Sequence, residues 1–314
     1  MPPRWSIAVL ALVLAAVSLA ACGGAGDAGG SANAPVAVAT TTQVADLARA
    51  VAGDRSAIRQ ILQPNSDPHA YEPRPSDVKA VAGVGVVLRS GGDLDAWLDG
   101  VLRNAGSDAR TITLIDAMTT RRRGAEVDPH WWQDPRNALR AVDRIRDALA
   151  AADPGGRAAY TANAAAYAGR LRALDGAIER CMTAIPALRR RLVTDHDALG
   201  YFAARYGIEV IGTVIPALST HAQSSAGEVA RLVRTIRAAG VTTIFPESSV
   251  NPTLTRAIAR DAGAKVGPGL YADSLGPAGS PGATYLGALR FNARALAAGF
   301  NGPAGPAAAA RCQL

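Results

Sequence analysis

Short apolar runs with strand character alternate with helical periods along almost the whole chain, and this alternation limits the possible folds more than any other feature. The runs 36–40, 57–62, 85–88 and 111–115 read as buried strands with helical stretches between them. Alternation of that kind indicates an α/β domain with a largely parallel sheet. Asp134-Pro135 then opens a helix, with aspartate as the N-cap and proline in the first turn. Leu139, Val142, Ile145 and Leu149 give this helix one apolar face, and Asp153-Pro154-Gly155-Gly156 stops it. A longer helix follows from Arg157 to Ile185. Its apolar positions Tyr160, Tyr167, Leu171, Leu174, Ile178, Cys181 and Ile185 recur at steps of three, four or seven and so share one stripe. At 1.5 Å per residue it is roughly 40 Å long, enough to run along a pair of domains.

The alternation then resumes, with strands expected at 192–194, 209–215, 241–245 and 264–266 and helices near 198–206, 225–239, 252–262 and 283–298. The fold class is therefore α/β, with two Rossmann-like lobes joined by one long rigid helix. The first lobe takes 36–152, the connecting segment 153–191 and the second lobe 192–301. The remainder, 302–314, is rich in Ala, Gly and Pro and is expected to be irregular.

The N-terminus decides the compartment. Met1 to Arg4 is positively charged, and the apolar run from Ile7 to Val17 is too short for a comfortable membrane span. Leu19-Ala20-Ala21 leads directly into Cys22, the pattern of a bacterial lipobox in which the cysteine is acylated and becomes the first mature residue. Residues 1–22 thus read as a lipoprotein signal, and the Gly/Ala/Ser-rich stretch 23–35 as a flexible tether. The protein is expected on the extracytoplasmic face of a cell membrane, held by its lipid anchor.

A formal charge of +7 could suggest nucleic acid, but the arginines are scattered apart from Arg121-Arg122-Arg123 and Arg189-Arg190-Arg191. Aromatic residues make up only 5%, leaving few platforms on which bases could stack. Nucleic acid is not an expected partner, and the basic character suits anionic lipid head groups. Beyond Cys22 there remain Cys181 and Cys312. Outside the cytoplasm such a pair forms a disulfide in the usual case, although Cys181 on an apolar helix face also suits a small core residue.

Four histidines carry the chemistry. Two occur in nearly repeated phrases, Asp67-Pro68-His69-Ala70-Tyr71-Glu72-Pro73 and Asp128-Pro129-His130-Trp131-Trp132-Gln133-Asp134-Pro135. Each phrase places a histidine in a loop behind a proline. His196 lies in Thr194-Asp195-His196-Asp197, at a strand-to-helix junction. Ligands of open α/β sheets bind in loops beyond the carboxyl ends of strands, so all three are placed to converge between the lobes. Neutral imidazole suits Zn²⁺, and such a site works near neutral pH and fails in acid. Asp67, Asp128 and Asp134 are expected to orient their loops. His221 lies on a loop of its own.

The phrases D-P-H-A-Y-E-P, D-P-H-W-W-Q-D-P, T-D-H-D-A-L-G-Y-F and I-F-P-E-S-S, followed by Y-A-D-S-L-G, resemble the zinc/manganese class of ABC-transporter solute-binding proteins. They resemble most its zinc-binding members, of ZnuA, TroA and AztC type. The likeness runs in order through the whole mature chain. It implies metal held in the cleft between the lobes by His69, His130, His196 and Asp273, and delivery to an ABC-transporter permease. Manganese-specific relatives of this class usually carry glutamate where this chain has His196. Three imidazoles and one carboxylate favour tetrahedral Zn²⁺, with Mn²⁺ the less suited ion. The resemblance also singles out Glu247, expected either to orient a histidine or to cap the next helix. His221 matches no ligand position. The His/Asp-rich loop common before the second histidine is replaced by the short basic stretch 119–127, so an accessory zinc metallochaperone or direct capture must load the site. A monomer is expected. The competing readings are a manganese-binding protein or adhesin on the same scaffold and, from another class, a zinc hydrolase with Glu247 as base.

Overall fold

The computed structural model describes residues 36–302, together with Cys312 and Leu314. The lipobox cysteine Cys22, the signal 1–22, the tether 23–35 and nearly all of the tail lie outside the described residues. No helix among the described residues is long and apolar enough to cross a membrane.

The first lobe is built on four parallel strands, β1 (Ala37–Ala39), β2 (Ile58–Gln60), β3 (Val86–Arg89) and β4 (Arg110–Thr113), in the order β2-β1-β3-β4. Helices α1 (Thr42–Ala52), α2 (Pro75–Val81) and α3 (Leu98–Ala105) make the crossovers. Strand β1 lies at the centre of the sheet and is wholly buried, as a strand covered on both faces must be. The edges behave differently from the expectation of buried strands. In β2 only Ile58 is buried and in β4 only Ile112, because each has a single strand neighbour and turns its polar residues to solvent.

The stretch 119–127 folds as a small antiparallel hairpin of β5 (Arg122–Arg123) and β6 (Glu126–Val127). Its turn passes through Gly124 at φ +60°, a conformation that glycine adopts without strain. Helix α4 (Pro135–Ala152) starts where the sequence places it, with the Asp134 carboxylate accepting the N–H of Arg136 at 2.9 Å.

The connecting helix α5 runs over Arg157–Thr183. All seven apolar positions of its stripe are buried, ending with Ile185 just past the helix. The helix is fastened to both lobes. On the first, Asn163 donates to the carbonyl of Val51 at 3.1 Å, and the Tyr160 hydroxyl meets Ser56 Oγ at 2.7 Å. On the second, Asp175 accepts from Arg205 at 2.9 Å and from the Tyr206 hydroxyl at 2.8 Å. Near its C-terminal end Cys181 is joined to Cys312 by a disulfide, which ties the chain terminus to this helix.

The second lobe repeats the plan of the first. Strands β7 (Arg191–Thr194) and β8 (Glu209–Thr213) pair in parallel, as do β9 (Thr243–Ile244) and β10 (Lys265–Val266). Phe245 donates its N–H to Val193 at 3.0 Å and bridges Thr194, so the four strands stand in the order β8-β7-β9-β10, the same order as in the first lobe. Helices α6 (Gly200–Tyr206), α7 (Ala226–Ala239), α8 (Thr253–Ala262) and α9 (Tyr285–Phe300) complete it. Helix α7 carries a capping box in which Ser225 and Glu228 satisfy each other's backbone N–H. In each lobe the chain reverses direction across the sheet between the first and third strands. The carboxyl ends of the strands there open a crevice.

The apolar stripe of α5 predicts a stability contrast. Leu171→Ala, at a fully buried position, should lower unfolding free energy by about 2–5 kcal/mol. Leu188→Ala, at a position 76% exposed, should change it by less than about 0.5 kcal/mol in the same urea titration. Equal effects would refute the packing assigned to the helix.

Candidate metal centre

The two Asp-Pro-His phrases fold alike. In each, the aspartate carboxylate accepts the backbone N–H of the histidine two residues on, at 2.9 Å for Asp67 and His69 and 3.0 Å for Asp128 and His130. The proline between them has a locked φ and no N–H of its own, so this short turn has little freedom and sets the direction of the imidazole. Asp128 goes further and takes the His130 ring nitrogen Nδ1 at 2.8 Å.

His196 follows β7 directly. Its Nδ1 donates to Glu247 Oε1 at 2.5 Å, from just beyond β9. Glu247 is held by its own backbone, whose N–H donates to Asp195 Oδ2 at 2.7 Å. Thr255 donates its hydroxyl to the other Asp195 oxygen. The N-cap of α8 is Pro252, so Glu247 orients a histidine and does not cap the next helix. With Nδ1 engaged on both His130 and His196, the Nε2 atom of each ring is directed inward.

Asp273 lies in the loop after β10, and the first lobe holds that loop. Trp132 Nε1 and Gln133 Nε2 both donate to the carbonyl of Ala272, at 2.9 and 2.8 Å. Tyr285 at the start of α9 donates its hydroxyl to the carbonyl of Trp132. Sequence reasoning did not assign Trp132, Gln133, Asp195 or Thr255 to the site. The first two were visible as part of the phrase that carries His130, but nothing in the sequence told which distant carbonyl they would reach.

These supports bring four side chains together. His130 Nε2 lies 3.4 Å from His69 Nε2 and 3.3 Å from His196 Nε2. The Asp273 oxygens stand 3.4 Å from His69, 3.3 Å from His130 and 3.2 Å from His196. One ligand atom from each of the four falls within 4.8 Å of all the others. His130 and His196 are fully buried and Asp273 nearly so, yet neither Asp273 oxygen has a hydrogen-bond partner. A buried carboxylate left in that condition is costly unless a cation satisfies it. His221 stands outside this group. Its Nε2–H donates to the backbone carbonyl of His69.

The electrostatics follow from burial and close charge. Burial disfavours the His130 imidazolium, but the Asp273 and Asp128 carboxylates outweigh it and push the ring up to about 9. Burial opposes charge on His196 in the same way, and Glu247 and Asp273 still hold it well above the ordinary histidine value. Burial raises Asp273, while His196 and His130 pull it well below the usual carboxylate range. Glu247 is pushed up to about 7 by burial, with His196 pulling the other way.

His69 is the partly open member, with 7% of its side chain exposed. It forms part of the wall of a cleft of about 1020 Å³ that also includes Ile115, Met118, Pro129 and Leu218. The hairpin β5–β6 borders this cleft and is fixed to the second lobe. The Arg121 N–H donates to the Tyr201 hydroxyl at 2.9 Å, and that hydroxyl donates to the carbonyl of Asp128 at 2.8 Å.

The chain matches the family described as zinc-uptake complex component A, periplasmic, over residues 37–299. It is 32% identical over 293 residues to the manganese-binding lipoprotein MntA of Bacillus subtilis, covering 90% of this chain and 95% of that protein. It is 29% identical over 268 residues to the iron-binding protein YfeA of Yersinia pestis, covering 84% and 85%. Among solved structures it is similar to the periplasmic zinc-binding protein TroA of Treponema pallidum, with a TM-score of 0.79 and 27% identity over 85% of this chain and 99% of that one. Proteins of this family are substrate-binding components of transporters and not enzymes, which sets aside the hydrolase reading. The position of Glu247 agrees, since its carboxylate is buried behind the His196 ring, bonded to Nδ1, and does not line the cleft. The chain therefore belongs to the zinc-uptake complex component A family of metal ABC-transporter substrate-binding proteins.

Proposed function

We propose that this protein captures Zn²⁺ outside the cytoplasm with His69, His130, His196 and Asp273 and delivers it to the permease of an ABC importer. The single observation behind this reading is the spacing of the four side chains around an unpartnered buried carboxylate. Donors about 2.0–2.1 Å from a tetrahedral Zn²⁺ stand roughly 3.3–3.4 Å from one another. Five of the pairwise contacts fall at 3.2–3.4 Å, those to Asp273 shared between its two oxygens, and one donor atom from each residue lies within 4.8 Å of all the others. Three nitrogens and one carboxylate also suit zinc better than the oxygen-rich octahedra preferred by manganese. Manganese is the second reading, favoured by the 32% identity to a protein named for binding that ion. In the proposed setting 36–152 and 192–301 form the two lobes around the site, 153–191 connects them, and an acylated Cys22 anchors a monomer to the membrane. With a basic hairpin at 119–127 in place of an acidic capture loop, zinc arrives directly or from a metallochaperone.

Titration of protein lacking residues 1–22 should show one tightly held Zn²⁺ per chain and a rise in thermal midpoint on loading. Alanine at His69, His130, His196 or Asp273 should each weaken binding at least about tenfold, as loss of a ligand does. Undiminished affinity in His196→Ala would refute the three-histidine site, and tighter retention of Mn²⁺ than of Zn²⁺ would refute the metal assignment. Glu247→Gln keeps the shape but removes the charge behind His196, and should weaken Zn²⁺ binding about 10–100-fold.

The raised imidazole values give the pH dependence its sign. A metal needs the Nε2 lone pair, while His130, pushed up to about 9, holds a proton at pH 7 without metal. Loading at pH 7 should therefore release at least about one proton per zinc, and affinity should climb as pH rises toward about 9. Calorimetry in buffers of different ionisation enthalpy measures this directly. Binding heats independent of the buffer would contradict it.

A further inference from the structure

The loop that follows β8 reaches across the cleft and grips the first lobe. Thr220 Oγ1 donates to Asp67 Oδ2 at 2.7 Å, and His221 Nε2–H donates to the carbonyl of His69. Both contacts fall on the Asp-Pro-His turn that aims the His69 ring. Asp67 uses its two oxygens on the two sides of that turn, Oδ1 on the His69 N–H and Oδ2 on Thr220.

The root of the same loop is bonded to the segment carrying His196. Ile215 donates its N–H to the carbonyl of Asp195 at 2.6 Å, and Asp197 donates to the carbonyl of Ala217 at 3.0 Å. One loop thus braces the backbone on both sides of His196 and, at its tip, the turn of His69. The other three members of the cluster are shut inside the protein, and His69 alone meets the cleft, whose wall includes Ser219 and His221. Any ion passing between the cluster and that cleft must move past His69.

We propose that Thr220 and His221 are positioning residues that hold the His69 turn from the opposite lobe and thereby set the rate at which the metal leaves. This rests on the proposed metal-binding role of His69. Neither residue touches the metal. Each acts through the loop of the one ligand that lies on the exit path, so that ligand swings away only after the two hydrogen bonds break. His221 gains a role that does not require it to be a ligand.

The test uses the full chain in detergent, loaded with one equivalent of Zn²⁺, with release to a chromogenic chelator followed by stopped flow. Thr220→Val removes the hydroxyl at nearly constant volume and should speed release about fivefold, the fold-change expected for one lost hydrogen bond. Thr220→Ser keeps the hydroxyl and should release at the wild-type rate. The double variant Thr220→Val, His221→Ala should release on the order of twentyfold faster. Thermal midpoints of the metal-free variants should stay within about 4 °C of the wild-type value, the shift that loss of about 1 kcal/mol produces, which separates the positioning role from a general loss of stability. A double variant that is folded, binds zinc and releases it at the wild-type rate overturns the proposal. So does a Thr220→Ser variant as fast as Thr220→Val. Wild-type protein that holds no stoichiometric Zn²⁺ would instead overturn the metal-binding reading itself, and the two failures are distinct.

Discussion

The Asp273 carboxylate is buried among three imidazole nitrogens with no hydrogen bond to either oxygen, and the architecture around it serves to hold that arrangement. A charge removed from water must be balanced where it lies, because an isolated buried carboxylate costs several kcal/mol. The neighbouring imidazoles offset it, because Asp273 and the carboxylates behind them raise the proton affinity of His130 and His196 above that of ordinary histidine. With metal bound, the ion takes over that balance. Such a centre suits the exchange of protons for a cation, in keeping with the proposed capture of a metal ion.

Holding four donors this close requires a supporting layer, and each lobe supplies its own. In the first, Asp67 and Asp128 fasten the backbone of the histidine two residues on, and proline removes the remaining freedom. In the second, Asp195 fixes the backbone of Glu247, and Glu247 fixes the ring of His196. Trp132 and Gln133 then join the halves by bonding the carbonyl next to Asp273. Helix α5, clamped to both lobes, limits how far these supports can separate. Within that frame His69 is the one partly open member of the cluster, which under the proposed metal-binding role makes its side the path for release.

Much of this was legible in advance because it is local. Strand and helix periods, the Asp134 cap and the stripe on α5 depend on residues a few positions apart, and the structure places them within a few residues of expectation. Burial at the sheet edges was not legible, since a short apolar run reads the same at the centre as at the border. Strands β2 and β4 bury only Ile58 and Ile112 for that reason. The basic stretch 119–127 gave no strand signal, and its two short strands exist through pairing across Gly124.

By itself the sequence determined the alternating α/β plan, the paired Asp-Pro-His turns and the identity of the residues able to ligate a metal. The plan, the turns and the three histidines follow from periodicity and side-chain chemistry, which need no knowledge of distant neighbours, while Asp273 and Glu247 were singled out only by the family resemblance. Only the tertiary structure decided that His69, His130, His196 and Asp273 meet, that Glu247 backs a ring and that His221 bonds the His69 turn without joining the cluster. Their partners lie 51 to 204 residues away along the chain. Contacts at such separation are set by how two sheets and one long helix pack, and no local pattern encodes them.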